Sequence, residues 1–494
     1  MNVSTKRHDR RTFAVLPLFA LFAASCAIIP RHDAPALPRT EDFRLDQNLS
    51  AALATPGFEP GEWPRADWWR MFDDVQLDGL MNRALADNPD LRIAAARVRL
   101  ALKTADVVHA GSLPQIAADA SVTRERFSKN YIFPPYIANQ PQNLGQIALN
   151  ADWDLDLWSR NRNLYQARLS DAQAAAADQA ETRLVMTAAL AQAYFHLQGT
   201  LARRDVARLA LAQRQDFARL VRLRAKNGLD NLAAVNQAEA DVAREQASLV
   251  ALERDIEASK RALAALTGHG PNDASGLVVV TSHDAAAVAL PAMLPLDLLA
   301  RRPDVAAARW HVEAAAREVG VAKAGFYPNI SLTGSVGYQS LLLDQLFQPE
   351  SIFSSIGPAI HLPIFGGGSL RANLGARYAE YDMAVEQYHR ALVDAARDVA
   401  DQLAAVRYLG EEQVHQAQAL RDSEEAYRIA RLRYKAGLSD YLAVLLVQRD
   451  LLQQRDVNTQ LDEAKRLAVL ALIKSLGGGY VAEQLPPAHV SSGR

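Results

Sequence analysis

Asp152, Asp154 and Asp156, three acidic residues at alternate positions, are the nearest approach in this chain to a metal-binding constellation. Carboxylates at that spacing open a calcium loop when glycine stands sixth and glutamate twelfth, but Leu157 and Asn163 occupy those places. Gly366, Gly367 and Gly368 precede a helical pattern, as a phosphate cradle would, yet no lysine follows at the P-loop spacing. Gly334 stands one residue too close to Ser335 for a nucleophile elbow. The 11 histidines are scattered without an HExxH pair or any other short metal spacing. These patterns support no catalysis, no resident metal and no cofactor. With 54 basic and 56 acidic residues, the chain also lacks the basic footprint of a nucleic-acid binder.

Cys26 is the single cysteine, so an internal disulfide is excluded. It follows Lys6, Arg7, Arg10 and Arg11, an apolar stretch from Phe13 to Ala24, and Ser25, the layout of a targeting segment over residues 1–25. Arg10, Arg11 and Phe13 partly match a twin-arginine signal, but a plain basic region accounts for them. The small residues before the cysteine resemble a bacterial lipoprotein cleavage box, although Ala23 departs from its usual leucine. That resemblance implies a lipid on Cys26, and Ala27 in place of aspartate after it implies the outer membrane. Residues 26–74, rich in proline from Pro30 to Pro64, read as an extended tether.

The elements that must position any site are written twice. Pro89, Asp90, Ala110, Gly111, Pro114 and Ile116 recur 214 residues later as Pro303, Asp304, Ala324, Gly325, Pro328 and Ile330. Leu223, Arg224, Lys226, Gly228, Leu229, Val235 and Asp241 recur 209 residues later as Leu432, Arg433, Lys435, Gly437, Leu438, Val444 and Asp450. Self-similarity on this scale constrains the whole architecture. The first repeat, 75–266, holds a strand hairpin at about 113–158, a long helix over 159–227 and a return helix over 230–266. A linker over 267–293 leads to the second repeat, 294–476, with a helix at 303–325, a hairpin at about 327–365, a long helix at 369–436 and a return helix at 440–476. A tail, 477–494, closes the chain.

No run approaches the ~18 uncharged apolar residues of a spanning helix, so any membrane crossing falls to the strands. Ile147, Leu149, Trp153, Leu155 and Leu157 alternate with Asn150, Asp152, Asp154 and Asp156, which predicts one apolar face and one polar, lumen-facing one. Four strands close no barrel, and an open edge in lipid costs several kcal/mol per unsatisfied backbone group. Two chains would supply eight strands and three would supply twelve. The long helices would each run ~100 Å at 1.5 Å per residue. The helix before each hairpin and the return helix after it nearly match that length when placed end to end. Leu374, Tyr378, Tyr381, Val385, Tyr388, Leu392, Val399, Leu403 and Val406 form a coiled-coil seam, and Leu184, Ala188, Ala191 and Phe195 mark its counterpart.

The block Trp68, Trp69, Phe72, Asp74, Leu77, Leu80, Ala84, Leu85, Asn88, Pro89, Asp90 and Leu91 resembles the opening of a known family. So do the run from Arg301 to Val305, Gly320, Ala322, Ala324, Phe326, Pro328, Trp153, Leu157, Trp158, Arg160, Leu374 and the closing Gly477 to Gly479. The chain is similar to the outer-membrane factors of RND-type tripartite efflux systems, the TolC and OprM type. The resemblance implies an α+β membrane protein, a homotrimer whose twelve-stranded β-barrel continues as a twelve-helix α-barrel. It further implies a passive exit duct, not an enzyme, that exports drugs, organic acids or similar small molecules. Outer-membrane lipid, a periplasmic adaptor and an inner-membrane RND-type transporter are the implied partners. Gly228 and Gly437 would mark a gated periplasmic tip, with Asp230, Asn231, Tyr434, Asp440, Tyr441 and Leu446 as gate candidates. Acidic rings in the family fall at positions matching Ala443 and Leu446, both uncharged here, which implies an apolar seal. Asp230 and Asp440 also suit helix N-caps. A periplasmic coiled-coil adaptor or stalk would keep the helices but place the strands in a soluble domain, and a lipid-anchored adhesin or enzyme would need turnover or a soluble monomer.

Overall fold

The computed structural model describes residues 58–276 other than 131, 133, 137 and 139, together with 288–291, 301–482 and the isolated positions 32, 33, 35 and 50. The targeting segment, Cys26 and most of the tether lie outside the described residues.

A short parallel pair joins β1 (Phe58–Gly61) to β4 (Val288–Pro291). The first copy then contains α1 (Val75–Asp87), α2 (Pro89–Gly111), β2 (Gln115–Arg126), β3 (Pro141–Asp154), α3 (Arg160–Lys226) and α4 (Leu232–Leu266). The second contains α5 (Pro303–Ala324), β5 (Asn329–Ser340), β6 (Ile352–His361), α6 (Ser369–Lys435) and α7 (Tyr441–Ser475). No described helix is long and apolar enough to cross a membrane.

Capping residues divide the helices. Asp74 starts α1 by accepting from the Gln76 and Leu77 amides at 2.9 and 3.0 Å. Pro89 cannot continue α1 but suits the first turn of α2, which Asn88 caps through the Asp90 amide at 2.8 Å. The same Asn88 donates its Nδ2 to the Leu266 carbonyl at 2.8 Å, so the end of α4 abuts the start of α2. In the second copy Arg302 donates Nη1 to the Ser475 carbonyl at 3.1 Å, and α7 meets α5 in the same way. Each copy thereby builds two columns, one a continuous long helix and one a pair of helices stacked end to end.

Buried apolar side chains hold the columns together. The largest cluster lies midway, where Trp68, Trp69 and Phe72 pack with Tyr194 and Phe195 of α3, Leu263 of α4, and Leu472 and Ile473 of α7. Tyr194 donates to Asp74 at 2.7 Å, tying the N-terminal cap to the long helix. The α6 seam is buried at Leu374, Val385, Leu392, Val399, Leu403 and Val406, and its α3 counterpart at Leu184, Ala188, Ala191 and Phe195.

The hairpins join as one antiparallel sheet in the order β2-β3-β5-β6. The alternation expected to continue through Asp156 stops at Asp154. Asp156 turns out of the strand with φ 48°, a left-handed conformation that aspartate tolerates, and its carboxylate accepts from the Asn161 and Arg162 amides at 2.8 and 2.9 Å. Asp156 therefore caps α3 and is corrected from a strand-face residue to a turn residue.

Candidate functional site

Strand register sorts the sheet by chemistry. Because side chains alternate, residues paired across strands share a face. One face carries Asp119, Asn150, Asp152, Asp154, Ser331, Thr333, Ser335 and Ser355. Asn150 Nδ2 donates to Asp119 at 2.7 Å, and Asn329 Nδ2 donates to Asp154 at 3.0 Å, so this polar face is laced together. The opposite face carries Ile116, Val122, Ile147, Leu149, Trp153, Leu332, Val336, Ile356 and Ile360. All nine are exposed, from Ile147 and Leu332 at 36% to Ile356 at 82%, so among the described residues most of the apolar face has no cover, the loop after β5 packing on it where Phe347 meets Tyr338. Among the described residues both β2 and β6 are unpaired along their outer edges.

At the far end of the long helices the two copies make matching turns. Gly228 has φ 73° and Gly437 φ 75°, the left-handed conformation that glycine adopts without a Cβ penalty. The next amides, Leu229 and Leu438, each bond back to an arginine carbonyl, Arg224 and Arg433, at 2.9 Å. Asn231 then caps α4 through the Ala234 amide at 2.9 Å, and Asp440 caps α7 through the Ala443 amide at 3.1 Å. The N-cap role fitted to Asp230 thus falls to its neighbour Asn231, and α4 starts at Leu232 instead of 230.

Freed from capping, Asp230 makes the most connected polar contact of the tip. Its Oδ2 accepts from Tyr434 Oη of α6 at 2.8 Å and from Arg224 Nε of α3 at 2.9 Å. The Arg224 guanidinium also lies 4.6 Å from the Tyr434 ring centre, and its hydrogen bond to Asp230 raises its already high pKa. Tyr434 is fully buried and packs beside Phe217, Val221, Val444 and Leu451. One carboxylate therefore joins the turn of the first copy to the long helix of the second. Of the six gate candidates the structure brings together Asp230 and Tyr434. Asn231 and Asp440 sit at helix starts, Leu446 is exposed on α7, and the Tyr441 side chain lies outside the described residues. Arg224 is not among the gate candidates taken from the sequence; its recurrence as Arg433, near Gly228 and Gly437, is the signal that could have found it.

A two-faced sheet set at one end of long helical columns agrees with what comparison finds. The family model described as outer membrane efflux protein matches residues 80–269 and 294–478. This chain belongs to that family. The multidrug resistance outer membrane protein MdtP of Escherichia coli is 31% identical over 473 residues, covering 93% of this chain and 94% of its own. The fusaric acid resistance protein FusA of Burkholderia cepacia is 37% identical over 366 residues, 73% of this chain and 68% of its own. Among solved structures, the outer membrane protein VceC of Vibrio cholerae superposes with a TM-score of 0.78 at 36% identity, covering 84% of this chain and all of VceC. The open state of the Neisseria gonorrhoeae MtrE outer membrane channel superposes at 0.76 with 26% identity, covering 93% of this chain and all of MtrE. One of these structural neighbours is an outer membrane protein and the other an outer membrane channel, and this chain, by its family, is an outer-membrane efflux duct of mixed α/β fold and not an enzyme.

Proposed function

We propose that three copies of this chain form a gated exit duct anchored in the outer membrane by a lipid on Cys26. The observation that carries the assembly is the uncovered sheet, with apolar side chains on one face, polar side chains on the other and two free edges. Lipid tolerates strands only when no edge remains open. Pairing β2 of each copy with β6 of the next removes all edges and gives twelve strands. Asn150, Asp152 and Asp154 then line a polar lumen, and the helical columns extend it into the periplasm as a twelve-helix tunnel.

Passage is closed at the helical tip. The contact among Tyr434, Asp230 and Arg224 holds each first-copy turn against the second-copy helix, and uncharged residues around Leu446 supply the seal. A periplasmic adaptor engaging the tip releases these contacts, and an inner-membrane RND-type transporter drives cargo into the opened tunnel. The cargo class follows from the relatives named for multidrug and fusaric acid resistance: small organic drugs and organic acids. The duct itself needs no cofactor beyond its covalent lipid.

The test is assembly and conductance of the purified full-length protein. A heat-modifiable trimer that forms low-conductance pores in planar bilayers, and that crosslinks through cysteines placed at residue 229 or 438 to an adaptor, is the expected result. A lipid-free soluble monomer without conductance overturns it.

A further inference from the structure

Where the sheet gives way to the long helices, the starts of α3 and α6 and the end of α5 enclose a cavity of about 290 Å³. Strand register fixes the side on which it opens. Asn329 and His361 both line it and pair with each other across β5 and β6. Two residues farther along come Ser331 opposite Ala359, then Thr333 opposite Gly357, so the pair belongs to the polar face. Asn329 also donates to Asp154 of that face at 3.0 Å. The cavity is therefore reached from the polar side, which becomes the lumen when the barrel closes. Cargo leaving the tunnel for the barrel passes three copies of it.

The lining is of two kinds. Trp158 and Tyr327 stack with ring centres 4.6 Å apart and planes 18° from parallel. The Trp158 indole donates to the Pro328 carbonyl at 2.8 Å, which holds this aromatic wall in place, and Leu370 extends the apolar surface. Arg160, His361 and Asn373 bring hydrogen-bonding groups to the same space, and among the described residues none of their side chains has a hydrogen-bond or ion-pair partner. The carboxylate in the lining, Asp156, is engaged elsewhere: its two oxygens accept from the Asn161 and Arg162 amides. The Arg160 guanidinium is thus the charge left open to a ligand.

We propose that this cavity is a transit binding site for small aromatic carboxylates. The site rests on the duct reading above and selects one chemical class within its organic-acid cargo. The planar guanidinium receives a carboxylate through two parallel hydrogen bonds, His361 and Asn373 supply further polar contacts, and the ligand ring lies against the Trp158–Tyr327 pair. A few convergent polar groups on a mostly apolar wall are what small-molecule sites present, in pockets of roughly 300–1,000 Å³. At about 290 Å³ this cavity holds a single ring and its acid but not a large polycyclic drug. Conduction requires that such a site also release its occupant, so binding is weak and exchange fast.

The experiment titrates the purified full-length trimer in detergent with 4-fluorobenzoate and follows fluorine NMR line broadening, with empty micelles as the blank. Wild type should bind saturably. R160Q should raise the dissociation constant at least roughly tenfold, R160K should recover part of the loss because the charge persists without the fork, and N373L, which puts an apolar side chain at a second wall, should also weaken binding. The neutral 4-fluorobenzamide should bind wild type at least roughly tenfold more weakly than the acid, and benzoate should displace the probe at concentrations where acetate does not. No saturable binding by a conducting wild-type trimer overturns the site while the duct reading stands. So does equal affinity for acid and amide, displacement by acetate as readily as by benzoate, or unchanged affinity in R160Q; should R160Q fail to assemble, unchanged affinity in N373L decides in the same way. Failure of the wild type to form a conducting trimer overturns the duct reading and the cargo site with it.

Discussion

Replacing Tyr434 by phenylalanine removes a single hydroxyl from the proposed gate and leaves the ring between Phe217 and Arg224. The lost bond is a 2.8 Å donation to a carboxylate whose side chain is 12% exposed. Hydrogen bonds to charged groups contribute about 1.5–3 kcal/mol. A trimer opening in one concerted step breaks three such bonds, so the closed state loses ~5–9 kcal/mol. Converting a two-state equilibrium from 99:1 to 1:99 needs only ~5.5 kcal/mol. Y434F should therefore turn a mostly shut pore into a mostly open one, and D230A, which also strips the Arg224 bond, should do so at least as fully.

The assay is single-channel recording in planar bilayers, paired with uptake by whole cells of a large antibiotic normally excluded by the outer membrane. Wild type should show rare, small openings. Both variants should show frequent, larger openings and increased uptake at unchanged trimer abundance. If Y434F and D230A form normal trimers whose open probability matches wild type, the Tyr434–Asp230 contact holds nothing shut.

Three further outcomes follow from other positions. L446D should raise single-channel conductance by breaking the apolar seal, and unchanged conductance would remove Leu446 from it. N88A should lower the unfolding free energy by about 1–3 kcal/mol, and with it the denaturation midpoint, because it loses both the α2 cap and the bond to the Leu266 carbonyl; an unshifted midpoint would show that the stacked helices need no such joint. Burial, and then the Asp304 carboxylate, push the Glu181 carboxyl above its ordinary 4.5. The folded protein thus holds that proton more tightly than the unfolded chain, and stability falls as pH rises from about 4.5 through the raised value. E181Q should flatten that part of the stability curve, whereas an identical pH dependence in E181Q would exclude Glu181 as its source.

Periodicity made most of the architecture legible. The seam from Leu374 to Val406 and the alternation around Leu149 and Asn150 are properties of consecutive residues, so helix and sheet faces could be read without a partner in view. Contacts made by turns were harder. Asp230 and Asn231 are adjacent residues of equal capping ability, and only the backbone path from Gly228 decides that Asn231 caps while Asp230 points to Tyr434. Asp156 keeps the strand's alternating spacing, yet its left-handed φ removes it from the strand, a choice fixed by the α3 amides it satisfies. The Asn88–Leu266 joint spans 178 residues, beyond the reach of any local pattern.

The duplication explains why the proposed gate has three ties instead of six. Arg224 has its counterpart in Arg433, but Tyr434 stands where the first copy has Ala225, and Ser439 stands where the first copy has Asp230. Among the described residues the Ser439 hydroxyl is enclosed without a partner, so the second-copy turn lacks the carboxylate that would fasten it. The two turns share a backbone plan of glycine, bonded-back leucine and capping residue, and among the side chains in which they differ, Asp230 and Tyr434 make the contact that crosses from one copy to the other. Backbone similarity preserves the proposed twelve-helix tunnel, while side-chain divergence concentrates the closing energy on the first-copy turn. Release of Asp230 then frees the contact between the copies without unfolding either turn, because Asn231 and Asp440 continue to cap α4 and α7.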